Sequence, residues 1–108
     1  MKLNVYENKT IVKTYEAESY NLMFGTVEDL LDLIKIDDLN GTTKEDIAML
    51  VIKAIPKSFG IFKDLMKDIF ENLTDEDLRN VKVNEIVDVV VEVVKFAISE
   101  LSVDARKN

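Results

Sequence analysis

The carboxylates are the residues of this sequence best equipped for chemistry. Asp37-Asp38 and Asp75-Glu76-Asp77 lie close enough in sequence to exchange protons or share a Mg²⁺ ion. Asp38-Leu39-Asn40-Gly41 has part of a calcium loop. With Gly41 at the sixth position, however, Ile36 takes the first and Ile47 the twelfth, where carboxylates are required. That match fails, and a turn accounts for 37–41. The acidic run 75–77 directly follows Thr74, where carboxylates favour the start of a helix. The chain has no histidine and no cysteine. It therefore lacks the commonest general base, the commonest metal ligand, thiolate chemistry and every Ser-His or Cys-His arrangement. Ser19, Ser58, Ser99 and Ser102 sit in no nucleophile motif, and Gly25, Gly41 and Gly60 are isolated rather than gathered into a phosphate loop. The expectation is a protein that is not an enzyme, with no catalytic residue, cofactor or metal.

The bulk composition points the same way. A chain of 108 residues, 47% hydrophobic and 32% charged, makes one domain with one modest core. Its formal net charge of −7, with lysines scattered among more numerous carboxylates, argues against nucleic acid and against an anionic membrane surface. No apolar run is long enough to span a membrane, and the first residues do not read as a signal peptide, so a cytoplasmic protein is expected.

Several elements can be placed from local pattern. Residues 2–17 read as a β-hairpin turning at Asn8-Lys9, with Glu7 facing Thr10, Tyr6 facing Ile11 and Val5 facing Val12. Tyr20, Leu22 and Phe24 alternate in 19–25, as a third strand or an extended linker ended by Gly25. Thr26 is a candidate cap for a helix over 27–36. After a loop at 37–43, Thr43 with Asp46 forms a capping arrangement for a helix carrying Ile47, Leu50, Val51, Ala54 and Ile55. Pro56 predicts a kink or break at 55–60, beyond which Phe59, Phe62, Leu65, Met66, Ile69 and Phe70 continue a helical stripe. Thr74 and Asp77, stapled by Leu73 and Leu78, open a short helix to about Asn80. The fold class is thus α+β and mostly helical: 1–25 mainly β, 26–101 helical with four to five helices, and 102–108 a flexible tail.

The segment 83-VNEIVDVVVEVVKFAISEL-101 is rich in valine, which prefers strands. Its polar residues decide against a strand. Glu85, Asp88, Glu92, Lys95 and Ser99 recur every three or four positions and form one narrow strip, which is a helix. The apolar arc left over spans roughly 220° at helical spacing, wider than the stripe of a helix lying on one neighbour. Two compatible explanations follow. The helix is central, buried between the hairpin and the other helices, or part of its arc is left for self-association or a partner helix. On the second explanation the partner-binding residues are Val89, Val91, Val93 and Phe96, with Phe59 and Phe62 of the aromatic segment.

With these elements in order, the sequence resembles the small tail assembly chaperones of long-tailed phages and prophages of Gram-positive bacteria. The resemblance rests on 24-FGTVEDLLDLI-34, 69-IFENLTDEDLRNVKVNEIV-87 and 95-KFAISEL-101. It implies a cytoplasmic, non-catalytic protein that binds the long, helical, aggregation-prone tape measure protein. Such a protein keeps its client soluble while tail tube protein polymerises around it. The resemblance further implies a homo-oligomer or a longer frameshifted isoform, and Lys107-Asn108 is what a slippery A-AAA-AAC sequence would encode. The competing expectations are a phage structural subunit, for tail completion or connection, and a small bacterial adaptor protein.

Overall fold

The computed structural model describes residues 1–18, 21–34 and 43–106, with side chains described through Ala97. The loop expected at 37–43, apart from Thr43, lies outside the described residues. So do the carboxylate pair Asp37-Asp38 and the terminal Lys107-Asn108. An N-terminal hairpin, β1 (Lys2–Glu7) and β2 (Thr10–Glu16), is followed by α1 (Phe24–Ile34) and α2 (Lys44–Ala54). A 3-10 turn (Ile55–Lys57), α3 (Phe59–Ile69), α4 (Asp75–Arg79) and α5 (Val83–Arg106) complete the chain. This is the expected α+β class, a hairpin packed on five helices with α5 as its centre.

The hairpin turns at Asn8 and Lys9, whose φ values of 51° and 71° are those of a two-residue turn matched to strand twist. Glu7 faces Thr10 and Tyr6 faces Ile11 as expected, but Val5 faces Lys13 instead of Val12. The register shifts between Val5 and Tyr6, leaving Val12 as the extra residue of a bulge. The inward faces of Leu3, Val5 and Tyr15 are buried, while Ile11 and Val12 stay exposed. No third strand forms among the described residues. Helix α1 instead starts at Phe24, and the Val27 N–H donates to the Met23 carbonyl at 3.2 Å. Thr26 therefore lies within the first turn and is not its cap.

Thr43 caps α2 with both bonds of a capping box, the Asp46 N–H to Thr43 Oγ1 at 3.1 Å and the Thr43 N–H to Asp46 Oδ2 at 3.3 Å. Pro56 ends α2 by tightening the chain into the 3-10 turn, at a position whose missing N–H costs nothing. Ser58 is extended, and α3 starts anew. Thr74 caps α4 by accepting from the Asp77 N–H at 3.1 Å, and Leu73 and Leu78 are both buried in the common core. The last helix continues through Arg106, so 102–106 prolong α5 where a tail was expected.

Val87, Val89, Val90, Val91, Val93, Val94 and Ala97 of α5 are all buried. At helical spacing they cover an arc of roughly 200°. Helix α2 and strand β1 both pack against α5, which is how a single helix buries so much of its circumference. The β1 edge away from β2 is closed as well. The Tyr6 N–H donates to the Asn80 carbonyl at 2.9 Å, Val5 bridges Val81, and the Asn4 N–H donates to Glu85 Oε1 at 3.0 Å.

Candidate functional site

Valine 89, Val91 and Val93 were expected to meet a partner. They are 4%, 1% and 0% exposed, so the protein's own core covers them. Phe62, at 4%, is likewise interior. The wide apolar arc of α5 is spent inside the domain because neighbours flank it on two sides. Of the six partner-binding candidates, Phe59 (60% exposed) and Phe96 (38%) reach the surface.

Phe59 does so at an open apolar cleft of about 240 Å³. Ile55 of the 3-10 turn and Phe59, Phe62, Lys63 and Met66 of α3 form one wall. Leu78 and Arg79 of α4, then Val81, then Val83 and Ile86 at the start of α5 form the other. The local reasons are plain. Ile55, Phe59, Phe62 and Met66 recur at spacings of three and four and line one side of the segment. The Pro56 break sets the Phe59 end at a rim, while Phe62 and Met66, one and two turns on, sink into the core. The opposite wall exists because α4 has five residues and the chain between α4 and α5 is drawn to β1 by Val81.

Phe59 and Phe62 are thus brought together, and Phe96 does not line the cleft. Val83, 63% exposed, adds a second apolar side chain at the mouth and was not foreseen as a surface residue. Lys63 and Arg79 supply the charge. They are the charged lining residues, both basic, on opposite walls, in a chain with 21 acidic and 14 basic residues. The cleft is smaller than a typical small-molecule pocket and fits one or two large side chains. Among the described residues no group of three carboxylates, histidines or cysteines could hold a metal ion.

Two carboxylates predicted as helix-start or surface charges have a different task. Asp77 accepts from the Tyr15 hydroxyl and from Lys13 Nζ at 3.3 Å, tying β2 to α4. Hydrogen bonding by Tyr15, then by Lys13, holds its carboxyl below the usual range. Glu85 accepts from the Tyr6 hydroxyl at 2.7 Å as well as from the Asn4 N–H, tying β1 to α5. This bond raises the Tyr6 phenol above its ordinary value. Asp75 is held low by Lys67, 2.6 Å away, and more weakly by Lys63. Asp77 and Glu85 are structural struts between hairpin and helices, and Asp75 joins α4 to α3.

No protein-family model, curated protein or solved structure matches this chain.

Among the described residues no helix is long and apolar enough to cross a membrane. Besides the cleft, the surface carries further large apolar side chains. Met49 and Ile52 are 57% and 54% exposed on the outward side of α2, and Met23 and Phe24 are 64% and 81% exposed at the start of α1. Helical spacing reveals them only in retrospect. Ile47, Val51 and Ala54 define the buried side of α2, and Met49 falls opposite to it.

Proposed function

We propose that this protein is a non-catalytic assembly chaperone that holds an apolar helical client, the phage tape measure protein, soluble until tail tube assembly. The observation that carries this reading is the cleft at Phe59. The core is complete without it, yet two large apolar side chains, Phe59 and Val83, stand exposed at its mouth. Apolar surface of this kind, rimmed by charge, suits the ridge of an amphipathic helix. The net charge of −7 supports the same role by keeping the loaded protein soluble. The resemblance of 24–34, 69–87 and 95–101 to tail assembly chaperones supplies the identity of the client.

The test is co-expression with a phage tape measure protein, the long helical client. The expected outcome is a rise in the client's soluble fraction and its co-purification with this protein. Phe59→Asp abolishes both while leaving the fold intact. A client equally insoluble with and without this protein overturns the reading. So does recovery of this protein from finished particles as a stoichiometric component.

A further inference from the structure

Cations elsewhere on the described surface are already matched. Lys2 lies 3.5 Å from Glu16, Lys13 lies 3.3 Å from Asp77 and Lys67 lies 2.6 Å from Asp75. Lys63 and Arg79 form no ion pair among the described residues, in a chain with 21 acidic residues to 14 basic. Both are exposed, and they stand on opposite walls of the cleft, Lys63 on α3 and Arg79 on α4. Lys63 is also one turn from Phe59 on the same side of its helix. No carboxylate among the described residues lines the cleft. A helix seated there meets apolar surface along its middle and one unmatched cation on each side.

We propose that the cleft selects its client by charge, taking an amphipathic helix whose apolar ridge is flanked on both sides by acidic residues. In heptad terms the ridge occupies a and d, with a large side chain between Phe59 and Val83, and Glu or Asp occupies e and g, facing Lys63 and Arg79. An apolar anchor with opposite charge at its rim combines affinity with choice of partner. The inference rests on the client reading of the cleft and names the segment of the client that is recognised. The chain's net charge of −7 repels an acidic helix at long range, so a preference for one can come only from the local rim.

Three labelled helical peptides test this by fluorescence anisotropy. They share one Phe/Leu ridge and carry Glu, Gln or Lys at every e and g position. Binding to the cleft is the part lost in Phe59→Asp. For that part the Glu peptide should bind about tenfold more tightly than the Lys peptide at low salt, the yield of two exposed charge pairs. The gap should narrow as salt is raised. Lys63→Gln/Arg79→Gln should erase the preference and Lys63→Glu/Arg79→Glu should reverse it, with circular dichroism confirming the fold of each. Equal binding of the three peptides overturns the proposal. So does tighter binding of the Lys peptide to the wild-type cleft, or a preference that survives loss of both cations. Tape measure protein held soluble by a cleft that ignores peptide charge would sink this inference alone. Peptide selectivity without any effect on tape measure protein would sink the client's identity and leave the charge rule standing.

Discussion

Asp77 shows how much a single side chain can be given to do. Its backbone N–H satisfies Thr74, its carboxylate takes the Tyr15 hydroxyl and the Lys13 ammonium, and Lys13 also lies 4.9 Å above the Tyr15 ring. The carboxyl is held below its ordinary value by these donors, Tyr15 foremost. An acid with a lower pKa folded than unfolded binds its proton more readily when unfolded. Its contribution to stability is therefore complete above the ordinary carboxylate pKa of about 4 and is lost as pH falls through the lower folded value. Asp75, held low by Lys67, adds to the same acid limb. Asp77→Asn should accordingly lower the urea midpoint at neutral pH, and the gap to wild type should close as the pH is taken below about 4. A gap unchanged by pH would show that the carboxylate's charge contributes nothing. The sequence placed Asp77 correctly at the third position of a helix. The Tyr15 and Lys13 contacts, more than sixty residues away in the chain, left no local trace.

At the scale of elements, what was legible is what local chemistry decides. The Asn8-Lys9 turn, the Thr43 box, the break at Pro56 and the Thr74 cap each depend on a few adjacent residues, and each is present. What was misplaced is what local chemistry leaves open. Nothing at 22–24 forbids a helix, so α1 starts before Thr26 rather than at it. The bulge at Val12 moves every pairing from Val5 back to Lys2 by one residue, which sets Tyr15 opposite Leu3 and turns it inward to be buried. The caps can be weighed directly. Thr43→Ala removes the side-chain acceptor for the Asp46 N–H and opens the reciprocal arrangement. It should cost about 1 kcal/mol in urea unfolding, and Thr43→Ser should restore most of it. If Thr43→Ala is neutral, α2 is held by its packing on α5 and α1.

For the whole molecule, the valine helix was read correctly as a helix with an over-wide apolar arc. The cover on that arc could not be read, because it depends on two elements, α2 and β1, closing on α5 from different sides. Surplus apolar surface lies instead where chain breaks interrupt packing, at Phe59 beyond Pro56 and at Phe24 at the head of α1, and on the outward side of α2 at Met49 and Ile52. The distinction gives a quantitative contrast. Val91 is 1% exposed, and Val91→Ala deletes two buried carbons and leaves a void, at a cost of about 2–3 kcal/mol. Phe59→Ser removes a larger side chain that is 60% exposed and should shift stability by less than about 1 kcal/mol. The second variant should nevertheless be the one that loses the client, since its side chain belongs to the cleft and not to the interior. Urea midpoints and client co-purification measured on both proteins separate the two roles. A Val91→Ala protein of wild-type stability would mean that the interior of α5 tolerates a void, and that its width is not set by packing.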